Sequence, residues 1–338
     1  MPQPDAQALI VRGPLANVSV MYNNRDYIQG GSRANNERAF PVITNVTNKS
    51  KILTYKKGAW FRNEAKPVGR GRSVRGGYPT GEVNIDPIEY GFAKEVYDKD
   101  RRIAKQSGSP PLNLDINAIN FVSDKIDLSK ESRVAALVKA TAWSGQSAGG
   151  EDAGGLWAAS DNNTFLVDVF ARITTIHQNT GFFPNRLIID SGTWLSLVLE
   201  ATLLDRLQIT KDKIITTSLL ASLFNMTTNN DFKVFIAGAI TSTAIETKGG
   251  EDFTSALIWE NTATKGMGFL YYATATPALE QPNALYECRE NMKNDLVRLT
   301  EKHREGVDHR DVYEVRESTD YVVSGADLGF MWKDTLLT

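Results

Sequence analysis

The chain has 338 residues, of which 41% are hydrophobic and 23% are charged, a balance typical of folded globular proteins. The formal net charge is −2, which excludes a general electrostatic attraction of the whole molecule to nucleic acid. The sequence has no apolar run long enough to cross a bilayer, and its first residues lack the basic and apolar stretches of a secretory signal peptide. The single cysteine, Cys288, excludes an intrachain disulfide. We therefore expect a soluble protein made in a reducing cytosol.

Residues 1–39 are predicted to form an extended arm. Proline and glycine interrupt this segment repeatedly, and asparagine pairs at 23–24 and 35–36 add turn-forming residues, so the segment has little to build a core of its own. β-branched and aromatic residues then predict a first strand over 40–46 and a second strand over 51–55.

A basic, glycine-rich segment follows the second strand. Residues 51–78 contain eight lysines or arginines against one acid, Glu64, and four glycines lie between 69 and 77. Weak alternation over 82–96 predicts a returning strand, so the two limbs form a long hairpin with few residues for a core. Such a loop needs another surface to hold it still. We expect four of its arginines to pair with carboxylates of neighbouring copies: Arg62, Arg70, Arg72 and Arg75.

Two adjacent aromatic residues of this loop, Trp60 and Phe61, have two interpretations that stay open. In the first, they pin the hairpin to its own domain. In the second, they anchor it on a neighbouring copy, as aromatic residues together with arginine do at the centres of interfaces.

The longest predicted element is a helix over 112–143. Prolines at 110–111 precede this stretch, Gly145 follows it, and its apolar residues recur at helical spacing. Asn113 or Asp115 is the expected N-terminal cap. The far side of the helix is charged and is expected to face solvent, where three carboxylates would receive a neighbour's loop: Asp124, Asp127 and Glu131.

Strands and helices alternate in the remainder of the chain. A second helix is predicted from 163 or 164 up to Gly181, and a strand over 184–190 leads into a helix that begins at Ser191 and continues through Leu207. A short helix is predicted over 218–224, and further strands are predicted over 232–237, 255–259, 267–276, 310–316, 321–324 and 330–332. The predicted class is α+β.

The sequence contains no motif for catalysis or for a cofactor. The glycine–arginine run at 69–77 leads into Tyr78-Pro79 and not into a helix, and no Gly-Lys-Ser/Thr triplet occurs, so we do not predict a phosphate-binding loop. The three histidines lack the spacing of metal ligands, and no hydrolase motif is present. We therefore predict no catalytic residue, no cofactor and no metal site.

The order of these elements resembles the Hong Kong 97-like fold of tailed-bacteriophage major capsid proteins. Three further features resemble phage head proteins. They are the strand-into-helix step at 185–194, the closing strands at 311–315 and 320–323, and the pattern of residue types at 111–115, 134–138 and 141–143. The resemblance implies an N-terminal arm at 1–39 and a first part of the peripheral domain at 40–183, with an extended loop at 51–105 and a spine helix at 112–143. It further implies a mainly axial domain at 184–300 and return strands to the peripheral domain at 301–338.

The function implied by this resemblance is structural and not enzymatic. Copies would self-assemble as hexamers and pentamers into an icosahedral head shell around double-stranded DNA, in a virion assembled in the bacterial cytoplasm. The implied partners are further copies, a portal, a decoration protein and non-specifically contacted DNA, without a membrane. The short arm leaves no room for a cleaved scaffolding segment, so a separate scaffolding protein is expected. Two alternatives stay open, namely an encapsulin-type compartment shell and a cytosolic α+β enzyme without a recognisable motif.

Overall fold

The computed structural model describes residues 27–29, 38–47, 49–68, 71–106, 113–158, 162–200, 215–225, 231–244, 252–260, 265–274, 282–292 and 296–336. The helices in these ranges are α1 Lys57–Trp60, α2 Asp98–Gln106, α3 Leu114–Ala140, α4 Phe165–Thr180, α5 Ser191–Val198 and α6 Thr217–Phe224. None of these helices combines the length and the apolar character that crossing a membrane requires. The strands are β1 Val42–Ile43, β2 Ser50–Tyr55, β3 Thr80–Ile85, β4 Ile88–Tyr97, β5 Glu151–Asp152, β6 Arg186–Asp190, β7 Lys233–Ala237, β8 Ile240–Ser242, β9 Ser255–Leu257, β10 Met267–Tyr271, β11 Leu285–Arg289, β12 Arg298–Glu305, β13 Arg310–Val323 and β14 Gly329–Lys333.

The first sheet is built around β13. This strand pairs antiparallel with β12 and with β4, and its last residues pair antiparallel with β11, which pairs in parallel with β1. Alternate side chains of β13 point towards α3, because the side chains of a strand alternate between the two faces of a sheet. Val315 packs with Val122 and Ile126 of α3, and Tyr313 packs with Ala118. The long helix therefore covers one face of this sheet.

The second sheet has the strand order β5-β14-β10-β6-β7. Side chains from α4, α5 and α6 join its apolar core. Trp157 lies at the centre of an aromatic group in that core, with its ring centroid 4.9 Å from that of Phe165 and 5.0 Å from that of Trp332. Gly268 of β10 makes this packing possible, since a Cβ at that position would lie 2.5 Å from the Trp157 ring.

The two long helices predicted from the sequence are confirmed, with shifted ends. α3 begins after Asn113, whose side chain accepts a hydrogen bond from the Ile116 N–H at 3.3 Å, and it ends at Ala140 instead of 143. Its 27 residues correspond to about 40 Å of helix. α4 ends at Gly181, whose φ of 78° is a left-handed conformation that glycine adopts without steric cost.

Other element boundaries differ from the predictions. β13 is one strand of 14 residues where two were predicted, because the polar residues between them are buried in the sheet and keep their pairing: Glu317, Ser318 and Thr319. The predicted first strand is limited to β1. The predicted extended loop at 51–105 includes a helix at its end, α2, which was not expected. α5 ends at Val198, and its predicted continuation through Leu207 lies outside the described residues.

Part of the predicted arm lies in the core of the molecule. Tyr27, Ile28 and Ala39 are at most 8% exposed and belong to the apolar cluster that also contains residues of α3 and β10. The Ala39 N–H donates to the Ile28 carbonyl at 3.0 Å, so these two stretches of the arm also contact each other. The expectation that the arm contributes little to a core is wrong at these positions, because they pack against segments far away in the sequence.

Each of the two sheets combines strands that lie far apart in the sequence. β12 and β13 of the predicted final segment, 301–338, belong mainly to the first sheet, whereas β14 pairs with β10 in the second. β5 reaches the second sheet from the segment that precedes α4. The domain boundaries given by the resemblance stay predictions.

Candidate assembly surface

The predicted hairpin is present, and its stem is fixed to the first sheet. β2 and β3 pair antiparallel from Ser50 opposite Ile85 to Tyr55 opposite Thr80. Ile85 packs with three residues of the first sheet: Tyr286, Cys288 and Val322. Beyond the stem, none of the described residues between 56 and 79 is buried. The hairpin loop therefore has no core of its own, as its composition predicts.

The aromatic residues at the base of the loop contact their own chain and remain exposed. The Phe61 ring lies beside Gly181 at the end of α4, where a Cβ would be 3.3 Å from its Cζ, and Lys57 pairs with Asp327. The Trp60 ring lies 5.5 Å from the Tyr78 ring on the returning limb. Trp60 is nevertheless 62% exposed and Phe61 64%. The intrachain contacts agree with the first interpretation, and the contact with a neighbouring copy stays a prediction.

The basic side chains of the loop are exposed to solvent. Arg62 lies 3.6 Å from Glu64, and both side chains are more than half exposed. Within the part of the chain that the structure describes, Lys66, Arg72 and Arg75 form no ion pair. Arg70 lies outside the described residues. The loop thus presents three cations, those of Lys66, Arg72 and Arg75, that no carboxylate among the described residues pairs with.

Two of the three carboxylates predicted on the solvent side of α3 are buried. Asp127 is 2% exposed and accepts a hydrogen bond from Arg298 of β12, and Glu131 is fully buried. Asp124 is half-buried on the same helix. The predicted charged solvent face is therefore wrong for Asp127 and Glu131, and neither is accessible to the loop of another copy. The helix buries these charges because distant segments supply partners for them.

Glu131 joins the helix to the N-terminal segment. Its carboxylate accepts hydrogen bonds from three N–H groups, those of Ile28 at 3.2 Å, Gln29 at 3.0 Å and the Trp259 indole at 2.6 Å. The Gln29 amide in turn accepts from the Phe40 N–H at 2.8 Å. A buried carboxylate is tolerated when several donors satisfy it, and this one closes the contact between the helix and the arm.

Lys130 completes a buried ionic cluster between α3 and the first sheet. Its Nζ lies 3.0 Å from Glu287 and 2.9 Å from Glu317, and all three side chains are at most 2% exposed. Arg289 donates to Glu287 at 2.6 Å, and Arg298 lies 2.9 Å from Glu317. Burial alone would raise the pKa of Glu287, but the positive charges of Lys130 and Arg289 lower it to about 2. The pKa of Glu317 is lowered by the same balance of burial and neighbouring cations.

The face of the first sheet that points away from α3 carries a cross-strand array of charges. Alternation along β4, β12 and β13 directs five glutamates outward: Glu89, Glu95, Glu301, Glu305 and Glu314. Asp308 lies beside them in the turn between β12 and β13. Arg310 lies within 3.0 Å of three of these carboxylates: Glu95, Glu305 and Asp308. Arg316 lies within 3.6 Å of the other three: Glu89, Glu301 and Glu314. We call this surface the acidic face.

Three side chains of the acidic face have the chemistry to hold a cation. Glu301, His303 and Glu314 offer ligand atoms within 4.8 Å of one another, the one such group in the part of the chain that the structure describes. Arg316 already donates to Glu301 at 2.6 Å and lies 3.6 Å from Glu314. The Arg316 guanidinium therefore already serves as the counter-ion of these two carboxylates.

The acidic face and the buried cluster were both missed in the sequence. A period of two connects Glu89 with Glu95, Glu301 with Glu305, and Arg310 with Arg316, and this signal marks one side of each strand. The period of two does not show which strands pair with each other, because β4 lies more than 200 residues before β13. Only the register brings the three charged sides together.

Comparison with solved structures identifies the fold. The chain is similar to a phage-related protein of Bordetella bronchiseptica RB50, with a TM-score of 0.61 and 19% identity over 88% of this chain and 91% of that one. It is also similar to the capsid protein of cyanophage P-SCSP1u, with a TM-score of 0.57 and 10% identity over 97% and 93%. The mature capsid of bacteriophage PhiM1 gives a TM-score of 0.54 and 12% identity over 97% and 92%.

No protein-family model and no curated protein sequence matches this chain. The similarity thus lies in the arrangement of the helices and strands and not in the identity of the residues. On that arrangement, the protein has the Hong Kong 97-like fold of phage capsid proteins, and the predicted fold class is confirmed.

Proposed function

We propose that this chain is the major capsid protein of a tailed bacteriophage, and that its copies assemble as hexamers and pentamers into an icosahedral head shell around double-stranded DNA. The observation that carries the proposal is the extent of the similarity to a phage capsid protein, which covers 97% of this chain and 93% of that one. The similarity therefore extends over nearly the whole of both chains and is not limited to a common core. The function proposed is structural, with no catalytic step.

The hairpin loop supports this proposal independently of the comparisons. It exposes apolar and cationic side chains together, and both kinds gain from contact with another molecule. Burial removes apolar surface from water, and arginine pairs bidentately with carboxylates at interfaces. Trp60, Phe61, Arg62, Arg72 and Arg75, with Arg70 between them, stay our proposed subunit contacts. Asp124 stays the remaining candidate on α3.

The finer parts of the proposal concern the other components of a virion. We include a scaffolding protein, a portal and a decoration protein among the proposed partners, and we place assembly in the cytoplasm of a bacterial host. DNA contact is proposed to be weak and independent of sequence, because a chain with a net charge of −2 has no general attraction for phosphates. Binding of the shell protein to DNA should therefore be low at physiological salt and should decrease further as the salt concentration rises. Retention of one particular DNA sequence at physiological salt would contradict this part.

The experiment that tests the proposal is electron microscopy of the purified full chain, beside a variant with Arg70→Glu, Arg72→Glu and Arg75→Glu. We expect the unmodified chain to form closed icosahedral shells or tubes. We expect the variant to retain its circular dichroism spectrum and melting temperature but to form no shells, because exposed charges contribute little to intrachain stability while facing like charges oppose association.

The matched control replaces the same three arginines with lysine, which keeps the charge, and this variant should still form shells. A compact dimer or tetramer of the unmodified chain would contradict the proposed function. Early melting of the glutamate variant would show that the loop belongs to the folded core. Shells that enclose protein cargo and no DNA in the host would assign the chain to the encapsulin-type alternative.

A further inference from the structure

We propose that Glu301, His303 and Glu314 on the acidic face form a binding site for one divalent transition-metal ion, with Zn²⁺ as the reference case. The role of the ion is structural, since it ties β12 to β13 and offsets negative charge on the sheet. The sequence predicted no metal site, because its histidines lack the spacing of ligands on one helix. The ligands come instead from two neighbouring strands. The inference is separate from the proposed function and does not depend on it.

The register of β12 and β13 brings the three side chains together. Glu301 and Glu314 are directly opposite each other, and His303 follows Glu301 by two residues, so all three lie on the same side of the sheet. The pairing with β13 continues along the whole of β12. The backbone therefore fixes the Cα positions of the ligands, and only side-chain torsions adjust when an ion binds.

The distances between the ligand atoms fit a small metal ion. The His303 Nε2 lies 3.5 Å from a carboxylate oxygen of Glu301 and 3.7 Å from one of Glu314. In a tetrahedral site with metal–ligand bonds of about 2.1 Å, the ligand atoms are about 3.4 Å apart. Small rotations of the three side chains therefore complete three of the four positions around Zn²⁺, and water supplies the fourth.

The types of ligand select the class of cation. Zn²⁺ and similar transition metals bind imidazole nitrogen together with carboxylate oxygen, whereas Mg²⁺ and Ca²⁺ favour sets made of oxygen alone. His303 is the member of the group that favours a transition metal. Its side chain is 53% exposed, so an ion reaches it from solvent without any opening of the fold.

The surrounding charge favours a cation at this position. The six carboxylates of the acidic face share the guanidiniums of Arg310 and Arg316, and six negative charges against two positive ones leave a net charge of −4 with His303 neutral. Glu301 and Glu314 repel each other, because like charges stand directly opposite in the register. A dication between them removes that repulsion and halves the excess charge of the face.

Arg316 competes with the ion for the two carboxylates. It donates to Glu301 at 2.6 Å and lies 3.6 Å from Glu314. The same guanidinium also donates to Glu89 at 3.1 Å. It therefore keeps a carboxylate partner when it gives up Glu301. We expect the removal of Arg316 to strengthen metal binding, whereas the removal of any of the three ligands should weaken it.

Isothermal titration of the untagged, unassembled full chain with zinc chloride measures the binding directly. We expect saturable binding of one Zn²⁺ per chain. His303→Gln should weaken it about 100-fold or more, since even the loss of a group that only orients a ligand typically costs about 10–100-fold. The matched control is His309→Asn, which removes another exposed histidine and should leave the binding unchanged. Asparagine suits the φ of 50° at that position, and the buried Cys288 offers no competing thiolate.

Two further measurements test the site from opposite directions. Arg316→Gln should strengthen Zn²⁺ binding about ten-fold, because one charge-assisted hydrogen bond no longer has to be broken. Zn²⁺ at about a hundred times its dissociation constant should raise the melting temperature of the unmodified chain by about 5 °C or more. The same concentration should leave the melting of His303→Gln unchanged. Magnesium chloride at that concentration should affect neither chain.

No saturable binding of Zn²⁺ by the unmodified chain would overturn the inference, as would undiminished binding by His303→Gln or weaker binding by Arg316→Gln. Mg²⁺ that stabilises the chain as strongly as Zn²⁺ would show a general response of the acidic face to cations, and it would also overturn the inference. Shell formation is measured separately. Shells without Zn²⁺ binding would overturn only this inference, and Zn²⁺ binding without shells would support it while contradicting the proposed function.

Discussion

Replacement of Lys130 by methionine removes the central cation of the buried cluster while keeping a long apolar side chain. The lysine is 2% exposed and lies within 3.0 Å of carboxylates on two different strands, Glu287 of β11 and Glu317 of β13. Removing one partner of a buried ion pair typically costs about 3–5 kcal/mol, because the remaining charge stays desolvated. Lys130→Met should therefore be strongly destabilising.

The structure places the expected cost at the lower end of that range. Glu287 keeps its contact with Arg289, and Glu317 keeps its contact with Arg298. Each carboxylate thus loses one of its cations and retains another, so we expect a loss of about 3 kcal/mol in the free energy of unfolding. A loss of that size is a large part of the stability of an ordinary domain, about 5–15 kcal/mol.

Urea unfolding of the unassembled chain, followed by circular dichroism, measures this loss. The matched control is Lys51→Met, which breaks a pair with Glu82 in which both side chains are about half exposed. That change should alter the free energy of unfolding by at most about 1 kcal/mol. Similar effects of the two replacements, or a gain in stability from Lys130→Met, would refute the reasoning that the buried cluster stabilises the fold.

The remaining predictions concern the backbone, the core and pH. Ala136→Pro should lower the free energy of unfolding by about 3 kcal/mol or more, because proline removes a hydrogen bond within α3 and clashes with the preceding turn. Ala136→Ser is the control. A proline variant that stays soluble and assembles would contradict this prediction. Gly268→Ala should cost about 1–3 kcal/mol in a melting experiment, because its Cβ would overlap the Trp157 ring, whereas Gly77→Ala, with no atom within 4 Å, should be near neutral. The contribution of Glu287 to stability should be complete above about pH 5 and should be lost towards pH 2, because its folded-state pKa is about 2 and its ordinary value is 4.5; a chain equally stable to urea at pH 5 and pH 2 would contradict this.

Local signals predicted the elements whose ends are set by residues close in sequence. The prolines before α3 and the Asn113 cap define its beginning, and Gly181 ends α4 in a left-handed conformation. The basic hairpin followed from composition, since a segment with few apolar residues cannot bury itself in its own subunit. The order of these elements was also sufficient to indicate the Hong Kong 97-like fold.

The candidate site was predicted in part. The loop was identified correctly as exposed and cationic, but its expected acceptor on α3 was wrong for Asp127 and Glu131. Helical spacing assigns both to the polar side of the helix, and a polar side normally faces water. Spacing along one helix carries no information about whether a distant segment will cover that side.

What the sequence by itself determined was therefore the two long helices, the order of the elements that it predicted and the exposure of the hairpin, all of which depend on neighbouring residues. Only the tertiary structure decided which charges are buried and which form a surface. Lys130 meets Glu287 and Glu317 across more than 150 residues, and Glu131 receives N–H groups from more than 100 residues before it. A charge enters a core only when partners offset the loss of water, and those partners exist only after the sheet and the arm have come together around α3.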